Sequence, residues 1–260
     1  MLYRSGTVFT FVFLKRFMKK ILALTLICCF SFFSCETAKQ ILDTYGTNLP
    51  GSELSNGEIV AGLRDALTVG TGKTTNQLSA ADGFFKDAVI KILMPEEAKK
   101  VESKLRSVGL GGTVDKAILA MNRAAEDAAK GAGTIFINAA RQMTITDALN
   151  ILRGGDFAAT NYFKSKTTAA LTDAFRPVIQ NSLKNVNATK YWNDVFSVYN
   201  QFSSTKIETD LTAYVTAKAM DGIFYQLGLE EQKIRKDPVA RTTDILKKVF
   251  GSRLARGTQG

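Results

Sequence analysis

Histidine is absent from all 260 residues of this chain. That removes the side chain that most often serves as a general base near neutral pH, and the commonest metal ligand. Cysteine is confined to Cys28, Cys29 and Cys35. Beyond residue 35, therefore, the chain forms neither a disulfide nor a thiolate metal site. No metal and no cofactor is expected. Alternating apolar and polar residues, the mark of half-buried strands, are missing, and so is any fixed-period repeat.

Acidic residues are missing from the first 35 positions, where Arg4, Lys15, Arg16, Lys19 and Lys20 supply five positive charges. The formal net charge of +10 is thus partly a property of the front of the chain. The remainder carries 29 basic residues against 24 acidic ones and is mildly basic. This is a poor footprint for nucleic acid, and no nucleic-acid partner is expected.

From Met18 the residues run MKKILALTLICCFSFFSC. Lys19 and Lys20 form a positive start, Ile21 to Phe33 an apolar run, and Ser34 a small residue before Cys35. The run of about 13 residues is short of the roughly 20 that span a bilayer, and the layout is that of a secretory signal. It resembles a lipobox, with Cys35 as the expected site of lipid attachment. Phe32 and Phe33 stand where Leu and a small residue are more usual. Cys28 and Cys29 lie inside the apolar run and are poorer acceptors. We therefore expect a signal peptide over 1–34 with its start at Met18. A tether over 35–57, rich in Gly, Asn, Ser and Pro, then leads to a folded domain over 58–251 and a flexible tail over 252–260.

Within 58–251 the punctuation is helical. Ile59, Leu63, Ala66 and Leu67 recur on one face. Pro95-Glu96-Glu97 opens a helix striped by Val101, Leu105 and Val108, which Gly109 ends. Residues 113–143 read as one long helix or two, interrupted near Gly131 and Gly133. Thr144 and Asp147 form a capping box, and that helix stops at Gly154-Gly155. Glycine at a helix stop commonly takes a positive φ. Asp156 is placed to cap the next helix, Pro177 to kink or break a helical pattern, Asp210 to open a long amphipathic helix, and Asp237-Pro238 to open the last one. The fold expected is all-α: a single domain of roughly eight helices.

Few groups stand out as chemistry. Gly70-Thr71-Gly72-Lys73-Thr74 lacks the earlier glycine of a phosphate loop, where Leu67 stands, and reads as a flexible connector. The carboxylates Asp147, Asp156, Asp173, Asp194 and Asp221 read as caps or ion-pair partners. Arg123, Arg141, Arg153 and Arg176 lie in apolar surroundings and either pair internally or hold an anionic ligand. The cluster Tyr191, Trp192, Phe196 and Tyr199 reads as core. Arg153, Asp156, Arg176 and Tyr191 are the candidate ligand-binding residues; their meeting in one open pocket would favour a ligand site or an enzyme.

The stretches QMTITDALNILRGGDFAATNYF, TDAFRPVIQ, ATKYWNDVF and IRKDPVARTTDILKKVFG resemble, in that order, the bacterial family named domain of unknown function 4197. The resemblance covers residues 57–251. It implies an all-helical, exported, often lipid-anchored protein, and it carries over no catalytic residue. The expected function is that of a membrane-anchored envelope lipoprotein which binds a small anionic ligand or an envelope protein. The alternative is an enzyme built from Asp, Arg, Thr and Tyr.

Overall fold

The computed structural model describes residues 54–202, 204, 206 and 210–256. Cys35, the signal peptide and most of the tether lie outside the described residues. Among the described residues the secondary structure is helical without strands. The helices are α1 (Asn56–Ser79), α2 (Lys99–Ser107), α3 (Gly111–Ala129), α4 (Ala132–Arg141), α5 (Ile145–Arg153), α6 (Ala158–Asn185), α7 (Ala188–Phe202), α8 (Leu211–Lys236), α9 (Asp244–Phe250) and the single turn α10 (Arg253–Arg256). None is long and apolar enough to cross a membrane.

Helix α1 starts two residues before the expected start of the domain at 58, on a capping box in which Ser55 accepts from the Glu58 amide. It then runs unbroken through Gly70–Thr74, where a connector was expected. Leu63, Ala66, Leu67, Gly70, Thr71, Thr74, Thr75 and Leu78 are buried at helical spacing, and the Thr71 hydroxyl donates back to the Leu67 carbonyl at 2.6 Å. A continuous inward face outweighs the weak helix propensity of Gly and Thr.

The long helices α6 and α8 pack against each other and are antiparallel, since Arg176 pairs with Asp210 while Thr160 meets Glu231. Helices α1, α3 and α4 pack around this pair. Pro177 lies inside α6 without ending it. Pro177 and Asp173 are both exposed, on a face where solvent is free to take up the Asp173 carbonyl that the ring releases. The last turn, α10, packs on α5 with Leu254 and Ala255 half-buried.

The caps follow the sequence at several ends. Thr144 and Asp147 form the capping box, Asp210 accepts from the Ala213 amide at 2.9 Å, and Gly109 ends its turn with φ +84°. The corner after α5 differs from expectation. Gly154 sits at φ −76°, ψ 170°, so no left-handed glycine is needed. Glycine is required there for space: a Cβ would lie 2.5 Å from the Ala158 Cβ and 2.8 Å from the Asn150 carbonyl. Asp156 does not cap α6; it pairs with Lys236. Glu231, from α8, accepts the Ala159 amide at 2.9 Å and the Thr160 amide at 2.8 Å.

Two predictions follow from this framework. Gly154→Ala meets occupied space and should lose about 1–3 kcal/mol; Gly155→Ala meets nothing within 4 Å and should stay within about 0.5 kcal/mol of the parent, as denaturant midpoints will show. The second concerns acid. Lys248 and then the Ser55 amide hold the Glu58 carboxyl at about 2, below its ordinary 4.5. A depressed folded value contributes stability above the unfolded value and loses it as pH falls through the folded one. Thermal melts should show the parent's advantage over Glu58→Gln constant above pH 5 and fading between about pH 4.5 and 2.

Candidate functional site

Helix α3 has two working faces. One holds the segment that joins α1 to α2. The buried Asn122 carboxamide accepts the Ile92 amide at 2.9 Å and donates to the Ile92 carbonyl at 2.8 Å. One turn on, the buried Glu126 carboxylate accepts the Phe84 and Phe85 amides at 3.1 and 3.2 Å. Arg123 bonds Glu126 and Asp82, each at 2.6 Å. Glu126 and then Asp82 raise the Arg123 pKa, and Lys86 followed by Arg123 lowers that of Asp82. An irregular segment thereby receives from side chains the partners its backbone lacks. Gly222 of α8 lets it lie close, since a Cβ there would meet the Phe84 ring at 2.6 Å.

The other face of α3 is open. Val114, Ala117, Ala120 and Met121 line a groove of about 630 Å³, with Trp192 and Phe196 of α7 across from them. Asn187, at φ 55°, makes the turn between α6 and α7; asparagine is among the non-glycine residues most tolerant of that conformation. Helix α7 then packs against α6 and α8. The floor is buried, with Val114, Met121, Trp192, Phe196 and Leu211 each at most 4% exposed, while Tyr191 on the rim is 58% exposed. The aromatic wall is braced from behind. Trp192 lies 4.4 Å from Phe196 and stacks at 6.3 Å on Tyr214, whose hydroxyl donates to the Leu93 carbonyl at 2.8 Å. Burial, with Glu97 and Glu96 nearby, pushes the Tyr214 phenol up to about 12, so it stays a donor.

A second concavity of about 780 Å³ lies beyond Tyr214, lined by Lys91, Lys218, Glu97 and Asp221 among others. Water solvates its mixed charges well. The apolar groove gains more from an occupant, because water there is displaced from apolar surface. We therefore take the groove as the candidate site.

The four residues singled out from sequence do not gather in one place. Arg176 pairs with Asp210 at the start of α8, and Asp156 with Lys236 at its end. A rise of 1.5 Å per residue puts those ends ~39 Å apart. Arg153 is exposed in the last turn of α5. Tyr191 alone of the four lines the groove. Trp192 and Phe196 are core, as their spacing indicates, and they are also the groove's wall. Ala117 and Ala120 carry no local signal of the groove in the sequence, since only the fold sets them in one lining with Trp192. Among the described residues no group of three or more Asp, Glu, His or Cys is placed to hold a metal.

The clamp makes its own prediction. Asn122→Ala should cost about 1–3 kcal/mol for each main-chain group of Ile92 left unpaired. Because Leu93 and Met94 follow directly, and Tyr214 ties Leu93 to Trp192, the same variant should shift Trp192 emission in the native state.

A family model described as protein of unknown function (DUF4197) matches residues 53–251. No curated protein and no solved structure matches the chain.

Proposed function

The chain belongs to the DUF4197 family, and we propose that it works as a binding module held at a membrane by a lipid on Cys35, taking an apolar ligand into the groove between α3 and α7. The single observation that carries the binding reading is the groove: about 630 Å³ with a buried apolar floor and an exposed rim. Its size lies within the range of small-molecule sites. The ionisable groups Arg123 and Asp127 in its lining are engaged, the first with Glu126 and Asp82, the second with Lys130 and Ser182. Those partners favour binding over acid–base chemistry. The anchoring reading rests on the signal-like run from Met18 to Cys35, and it places the module in the cell envelope.

Two measurements test the two halves. In the host, the parent should be shortened to begin at a lipid-bearing Cys35, while Cys35→Ser should keep its full precursor length; a variant shortened to the same size as the parent would refute the anchor. In vitro, the anionic dye 1-anilinonaphthalene-8-sulfonate, which brightens when its rings enter apolar surroundings, should brighten on the parent and much less on Ala120→Phe, whose new ring occupies the groove. Equal brightening of the two refutes the groove as the site.

A further inference from the structure

We propose that the groove takes a single-chain anionic amphiphile, its acyl chain lying along α3 and its acidic head beside Lys116; this rests on the binding reading of the groove. Shape is the first argument. The α3 residues in the lining run from Thr113 to Asp127. At 1.5 Å per residue that stripe is ~21 Å long. One acyl chain covers about half of a hydrocarbon core that is roughly 30 Å thick, or ~15 Å, so it fits with room for a head. A peptide helix does not fit. With side chains it is 10–12 Å across, on the order of 2,000 Å³ over that length, and even half of that exceeds the space available. The small side chains Ala117 and Ala120 make a channel narrow enough to grip one chain.

Charge is the second argument. Among the described residues, three charged ones line the groove: Lys116, Arg123 and Asp127. Arg123 is neutralised by Glu126 and Asp82 at 2.6 Å, and Asp127 by Lys130 at 2.9 Å. Asp115, the acid next to Lys116 in sequence, is taken by Arg106 at 2.8 Å. Lys116 is exposed and has no acidic partner among the described residues. The groove therefore carries one uncompensated charge. It is positive, and it stands near the Thr113 end of the stripe. An apolar chain with an anionic head complements both features, whereas a cationic head repels the only free charge. A lipid anchor would hold this site beside a bilayer, where such molecules reside.

Trp192 is the chain's only tryptophan and lines the groove, so its emission reports occupancy without a label. The test uses the full chain carrying Cys35→Ser, titrated below micellar concentrations with hexadecanoate, hexadecanol and hexadecyltrimethylammonium. Hexadecanoate should change Trp192 emission saturably, with an apparent Kd about tenfold or more below that of the ammonium compound. Lys116→Glu should reverse that order. Ala120→Phe should abolish the response to all three while melting no lower than the parent; Ala117→Leu serves if that variant does not fold. If none of the three changes Trp192 emission, the groove is not a ligand site and both readings fall. If all three bind equally, or if the anionic preference survives Lys116→Glu, the amphiphile assignment is overturned while the groove remains a binding site.

Discussion

A buried carboxylate on α8 sets the geometry of the domain. Helix α6 begins without a cap of its own, because Phe157 offers no side-chain acceptor. Glu231, 71 residues beyond Thr160, supplies it through the Thr160 amide and hydroxyl and the Ala159 amide. The charge is balanced by Arg235 at 2.7 Å, whose side chain is equally buried and also donates to the Ile151 carbonyl at 2.7 Å, where α5 ends. The Phe250 ring of α9 lies 5.8 Å from the same guanidinium. One ion pair thus serves a helix start, a helix end and the seat of α9. Removing either partner alone leaves an uncompensated buried charge, the costly way to break such a pair.

The groove follows from that registration. With α6 and α8 antiparallel and pinned at Glu231, Arg176 falls opposite Asp210 at the start of α8. Helix α6 continues for nine residues past Arg176, to Asn185, an overhang of ~14 Å that α8 does not cover. Ser182 and Asn185 on that overhang, with Val186 just past its end, form part of the groove lining. Helix α7 turns back at Asn187 and rests on α6 and α8, with Trp192 stacked on Tyr214, leaving the alanine face of α3 open. Met94 lies on the seam between the groove and the clamped segment, so the two faces of α3 share a wall.

Much of the helical framework was legible in sequence because caps and apolar stripes are local. The box at Thr144, the cap at Asp210, the stop at Gly109 and the break between Ala129 and Ala132 are written within a few residues of where they act. Thr71 and Gly72 misled for the same reason: local propensity argues for a loop, and only the partners buried against α1 overrule it. The bonds that organise the fold are long-range. Glu231 and Asn122 look like polar residues on helices, and nothing near either in sequence shows that each serves backbone dozens of positions away. Asp156 and Arg176 did form internal pairs with single oppositely charged residues, but which lysine and which aspartate depended on the antiparallel register of α6 and α8. The groove was the least legible feature, because it is a mismatch in helix lengths and no residue encodes it alone.

That mismatch is the strongest physical reason to read the groove as functional. Larger residues at 117 and 120 would bury apolar area against Trp192 and Phe196, and cavity-filling substitutions commonly stabilise natural proteins. The rest of the core shows no reluctance to use large side chains: Phe136 meets Phe163 and Phe224 edge to face, at 5.2 and 6.1 Å between rings. The chain therefore packs aromatics tightly where α4, α6 and α8 meet and leaves two alanines where α3 faces α7. Packing alone gives no reason for the difference. An occupant that supplies the missing apolar contacts when bound does, and it makes the unfilled seam a cost in the free state that ligand binding recovers.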